Sequence, residues 1–182
     1  GMEMRRDDRE AAEAALREGL DALPGDPELH MALAGLREAG GDIAGAIESY
    51  EAVLAARPDS LIAVNNIVSL ITDRFPEDPE RLARAREIAE PLRRARIPHM
   101  QDSYGWLLHL SGEHEAALDF LVPAAEALPD NPWVRYHIGM VLAEIGQARA
   151  ARGHLEAALE LGAADFPPAP RIRARLAALE EG

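Results

Sequence analysis

Six histidines, 32 carboxylates and no cysteine bound the chemistry open to this chain of 182 residues. His99 and His109 lie ten residues apart on what reads as one helix, roughly 15 Å at about 1.5 Å per residue, too far to share an ion. The stretch "HEAAL" at His114 to Leu118 opens like a metalloprotease helix, where two histidines four residues apart hold zinc, but it lacks the second histidine. No Ser-His-Asp arrangement and no glycine-rich phosphate loop is present. The carboxylates fall mostly on solvated helix faces, and number alone does not pair an acid with a base. Without cysteine there is no disulfide, thiolate nucleophile or cysteine-bound metal. The chain is therefore read as non-enzymatic, with no catalytic residue, no cofactor and no metal site.

The formal charge of −13 weighs against nucleic-acid binding, which needs cations to neutralise phosphates. It equally disfavours an anionic membrane surface. All 19 basic residues are arginine, as a GC-rich bacterial coding bias would produce. Six of them, Arg81, Arg84, Arg86, Arg93, Arg94 and Arg96, form a local basic island interleaved with Glu80, Glu87 and Glu90. That spacing is read as helical ion pairing, with a site for an acidic partner as the rival. No apolar run reaches the length of a membrane span, about 18 residues. Gly1 before Met2 reads as a tag remnant, so a signal or further domains could have stood upstream. A cytoplasmic location is favoured, and a periplasmic one follows if a signal was removed.

The elements that must position these residues are helices. Ala, Leu, Glu and Arg dominate, all good helix formers, and long Val/Ile/Thr-rich runs are missing. The stretch "LPDNPWVRYHIGMVLAEIG" from Leu128 to Gly146 carries Gly139 within an otherwise good helix, where it costs about 1 kcal/mol relative to Ala. Self-comparison explains it. Gly105 precedes Gly139 by 34 residues, as Gly112 precedes Gly146, Ala117 precedes Ala151 and Leu121 precedes Leu155. The front half has the same period, with Ala12, Leu16 and Pro24 aligning with Ala46, Tyr50 and Pro58. Between the halves Val68 and Gly105 are 37 apart, and the extra residues are placed in the turn "RFPEDPE".

Each unit reads as helix, short turn, helix and Pro-marked stop. Gly41, Gly112 and Gly146 fall where first helices end, the place of a left-handed cap. Pro58 and Pro129 close second helices. Ala34, Val68, Gly105 and Gly139 share one place on the first helices, and Ala46, Ala85, Ala117 and Ala151 share one on the second. Small residues at facing places let the two helices approach closely.

This pattern resembles the tetratricopeptide repeat: Leu33-Ala34, Gly41, Ala46, Tyr50 and Pro58 in one unit, and Tyr104-Gly105, Gly112, Ala117, Leu121 and Pro129 in another. The resemblance implies an all-α, right-handed superhelical solenoid of stacked antiparallel helix pairs with about ten helices. Its expected parts are a tag or disordered start at 1–6, a half repeat at 7–26, and repeats at 27–60, 61–97, 98–131 and 132–165. The second repeat is irregular, with a longer turn, and residues 166–182 form a capping helix with Ile172, Leu176 and Leu179 on one face.

The resemblance also implies that first helices line a concave groove. Spacings of three and four on their non-core faces select Asn65 and Ser69, then His99, Asp102, Trp106 and His109, then Trp133, Tyr136 and Met140. Aromatic and Met side chains in a concavity are apt interface anchors. Trp106 and Trp133 either line the groove or pack between units, whereas Tyr136 and Asn65 are read as groove residues. Some relatives grip a C-terminal carboxylate with Lys and Asn; this chain has no Lys, and Asn65 with Asn66 does not make that clamp. The expected function is a scaffold binding a peptide or helix of a protein partner, a second copy of the chain included, without nucleic acid or membrane insertion. Rival readings are a regulatory or substrate-presenting region of a larger glycosyl- or methyltransferase, or a cell-envelope protein of exopolysaccharide export or surface-protein sorting.

Overall fold

A computed structural model describes residues 2–181, with side chains from 8 to 180. Among the described residues all regular structure is helical, and the chain divides within the Pro-rich turn into residues 1–75 and 76–182. The first unit holds α1 (Met2–Ala22), α2 (Pro27–Gly40), α3 (Ile43–Ala56) and α4 (Leu61–Arg74). The second holds α5 (Pro79–Ile88), a 3-10 turn (Glu90–Arg94), α6 (Pro98–Leu110), α7 (His114–Ala127), α8 (Pro132–Glu144), α9 (Ala148–Leu161) and α10 (Ala169–Glu181). Helix α1 begins at Met2, ahead of residue 7, where the repeat pattern starts, because nothing from Met2 to Asp8 breaks a helix.

Local chemistry fixes the helix ends. The Asp26 carboxylate accepts from the N–H groups of Glu28 and Leu29, and Pro27 supplies the preset φ of a first helical residue. Asn131 and Pro132 do the same for α8. Gly41, Gly112 and Gly146 have φ of 82°, 84° and 78°, the left-handed caps expected of them. Helices α3 and α7 end at Ala56 and Ala127, just ahead of Pro58 and Pro129.

Packing follows the small-residue register. Helices α2 and α3, α6 and α7, and α8 and α9 pair as hairpins, and α3 on α4 and α7 on α8 continue the stacking within each unit. A β-carbon built on Gly105 would lie 2.7 Å from Leu121 Cγ and 3.0 Å from the Ala117 carbonyl oxygen. One on Gly139 would lie 2.8 Å from both Leu155 Cγ and Cδ2. The glycines thus admit the leucines of the facing helix, which close packing would otherwise exclude.

The irregular stretch after α5 has its own solution. Pro91 cannot extend the helix, so the chain tightens into a 3-10 turn, and this turn buries Leu92 completely. The arginine island is mostly paired: Arg81 with Asp78, Arg84 with Glu87, Arg93 with Glu90, and Arg86 with Glu113. All four pairs are solvent-exposed and contribute little to stability.

Candidate functional site

In the unit 76–182, helices α6 and α8 lie side by side, and their facing side chains form an aromatic layer. Trp106 stacks on His137, with ring centroids 4.4 Å apart, and on His109, at 4.9 Å. Tyr136 tilts against Trp106 at 5.4 Å. His137 Nδ1 donates to both oxygens of Asp102, at 3.0 and 3.1 Å, so the carboxylate fixes the proton on Nδ1 and the ring's orientation. His137 Nε2 is buried without a hydrogen-bond partner.

The C-terminal segment closes this layer. Trp106 and Tyr136 share one apolar cluster with Leu155 and Ala158 of α9 and with Phe166, Ala169 and Ile172. Trp133, Met140, Leu176 and Leu179 pack against its margin, and Phe166 meets Trp133 edge-on at 5.2 Å. The apolar face of α10 is therefore spent on the aromatic layer.

These facts sort the residues expected in a groove. Asp102, Trp106, His109, Trp133, Tyr136 and Met140 come together in this unit. Tyr136, read as a groove residue, is instead buried at 3 % exposure, and Trp106 takes its core alternative at 4 %. Asp102 is buried as well. The reason is geometric: the face read as open is the one on which the next first-type helix leans, α8 on α6 and then α10 on α8. His109, Trp133 and Met140 are half-buried, and His99 is exposed at the start of α6. Asn65 and Ser69 belong to the other unit; both are half-buried, and Asn65 Oδ1 is buried without a partner.

Sequence reading missed His137. It sits one residue beyond Tyr136, on the flank toward the preceding first helix, which a search of the outward face passes over. Its signal was the spacing to Asp102, 35 residues, one period plus one, which sets an imidazole opposite a carboxylate on neighbouring helices. His114 was also unassigned; its Nδ1 lies 3.1 Å from His109 Nδ1. Among the described residues no three His, Cys, Asp or Glu side chains gather in a way that could hold a metal.

Burial pushes the His109 pKa down to about 4, helped by the neighbouring His114, with His137 and Arg175 acting the same way and Glu144 opposing. His109 is thus neutral when folded and takes a proton near pH 6.5 when unfolded. The unfolded state binds more protons below that pH, so stability is full above about 6.5 and falls as pH drops toward 4. In His109→Gln the fall in melting temperature across this window should be shallower than in the parent protein, measured by circular dichroism in matched buffers.

Three kinds of likeness place the chain among known proteins. A family model described as Tetratricopeptide repeat matches residues 3–71. A TPR repeat-containing protein of Pseudomonas aeruginosa is 30 % identical over 135 residues, 73 % of this chain and 22 % of that protein. Cellulose synthase operon protein C of Pseudomonas fluorescens is 26 % identical over 144 residues, 75 % of this chain and 11 % of that protein. The chain thus spans between a tenth and a quarter of the length of these relatives. A thermophilic TPR protein of Thermus thermophilus superposes with a TM-score of 0.64 at 23 % identity, over 100 % of this chain and 95 % of that one. YrrB, described as a TPR protein with an unusual peptide-binding site, gives 0.64 at 18 % identity over 92 % and 82 % of the two chains. Among the described residues no helix is long and apolar enough to cross a membrane.

Proposed function

We propose that this chain, which belongs to the tetratricopeptide-repeat family, is an interaction scaffold that holds a peptide or helix of a partner protein against its first-type helices. The family and its structural neighbours are repeat scaffolds, generally without catalysis. The observation that carries the finer reading is the layered aromatic floor of α6 and α8. Trp106, Tyr136 and the Asp102–His137 pair are buried and rigid, and they set the positions of Trp133, Met140 and His109, which keep accessible edges. A rigid floor with accessible aromatic and Met margins suits a partner segment, because few rotamers are lost on docking. His99 extends this margin at the start of α6.

The test uses crosslinked capture of partners from a lysate of the source organism. The double change Trp133→Ala and Met140→Ala should lower capture at least about tenfold, the loss expected of central anchors, with helicity unchanged. Capture unaltered by both changes would remove the groove assignment.

The likeness to a protein named for the cellulose synthase operon supports a second reading, in which the partner belongs to an exopolysaccharide synthesis or export assembly. Deleting the gene should then reduce secreted polysaccharide. Unchanged secretion would leave the general scaffold reading alone.

A further inference from the structure

His114 opens the stretch "HEAAL", which has no second histidine downstream. The fold supplies one from upstream. His109 lies in the last turn of α6 and His114 opens α7. Their Nδ1 atoms are 3.1 Å apart across the turn, with ring centroids at 4.8 Å. A straight N–H···N bond of that length would part the centroids by about 5.4 Å, since each ring nitrogen lies about 1.15 Å from its centroid. The rings stand closer, so the two nitrogens do not aim straight at each other. Both separations match two imidazoles on one ion. With nitrogens about 2.1 Å from the metal and about 95° apart at it, they come to about 3.1 and about 4.8 Å.

The turn between the two rings is fixed by its own backbone. The N–H of Gly112 donates to the His109 carbonyl and that of Glu113 to the Leu108 carbonyl, each at 2.9 Å. This turn does not need histidine. The same left-handed cap at Gly146 is flanked by Ala143 and Ala148, and the one at Gly41 by Glu38 and Ile43. The imidazole pair is thus an addition to the repeat, not part of its packing rule. Burial, with His114 beside it, holds the His109 pKa down at about 4, so at neutral pH the ring is uncharged, the form that binds metal. The carboxylates of Glu144 and Glu113 are taken up by Arg175 and Arg86. Among the described residues no third His, Cys, Asp or Glu joins the pair.

We propose that His109 and His114 form a two-imidazole site for a divalent transition-metal ion of the zinc class, bound through both Nδ1 atoms with water in the remaining positions. Imidazole selects zinc, nickel and copper over magnesium and calcium, which take oxygen ligands. Two protein ligands leave the ion exchangeable, unlike a closed four-ligand structural site. The site lies within the unit 76–182 and needs no partner protein, so it stands or falls apart from the scaffold reading.

The test titrates the untagged full chain with zinc chloride in a calorimeter. Binding should be saturable at one ion per chain, and magnesium chloride should not bind. His114→Ala should weaken zinc binding at least about tenfold by removing one of two ligands. His154→Ala, which removes a histidine held against Arg135, should leave zinc binding unchanged. Imidazole nitrogen NMR of the parent chain reads the same site without a substitution: one equivalent of zinc should shift Nδ1 of His109 and His114 together. Absence of saturable binding, binding indifferent to His114→Ala, or zinc shifts confined to other histidines overturns the proposal and leaves the pair as a hydrogen bond only.

Discussion

Replacing Gly139 by Leu is expected to lower the melting temperature of the chain by roughly 6–12 °C, the equivalent of about 3 kcal/mol for a protein of this size. Helix propensity alone predicts the opposite, since a central glycine costs about 1 kcal/mol relative to Ala. Packing decides the sign. The first added carbon would sit 2.8 Å from two Leu155 atoms and 3.2 Å from the Leu155 backbone nitrogen. Leu155 is fully buried and has no free volume to retreat into. Gly153→Ala, on the next helix with nothing within 4 Å, should instead raise stability by up to about 1 kcal/mol. Opposite signs at two helical glycines, read by thermal circular dichroism, would separate a packing requirement from a backbone one.

Trp106→Ala should be comparably damaging, by about 3–5 kcal/mol, the usual loss for truncating a buried aromatic side chain. The indole stacks on both His109 and His137 and touches Tyr136, so its removal unseats three rings at once. It also removes the cover of the Asp102–His137 pair, and a buried polar pair is tolerated only while it stays well ordered. A groove anchor would behave differently: its loss would cost partner binding and leave the melting temperature nearly unchanged. Melting curves of Trp106→Ala beside Trp133→Ala distinguish the two roles, with the larger drop expected at Trp106.

The helices and their ends were legible because they depend on local backbone chemistry. A left-handed cap wants glycine whatever the tertiary context, so Gly41, Gly112 and Gly146 could be assigned from sequence. The notches were legible through their recurrence, which ties Gly105 to Ala117 and Gly139 to Ala151 without knowledge of either partner. The aromatic layer was only half legible. Periodicity states which way Tyr136 and Trp106 point, but not what stands opposite, and here Phe166 and Ile172 share their core. Pro91 marked a break in the second unit, yet the 3-10 turn that buries Leu92 there depends on tertiary packing. His137 went unseen because its partner is on another helix and its own helix shows nothing unusual around it.

One measurement bears most directly on the packing rule behind all of this: the stability change of Gly139→Ala in two backgrounds, the parent chain and Leu155→Ala. If the glycine exists to admit the leucine, Gly139→Ala destabilises the parent and turns neutral or stabilising once Leu155 Cγ and Cδ2 are gone, a coupling above about 1 kcal/mol. Equal changes in both backgrounds would mean that these two side chains do not set the approach of α8 and α9, and the account of the stack would be wrong.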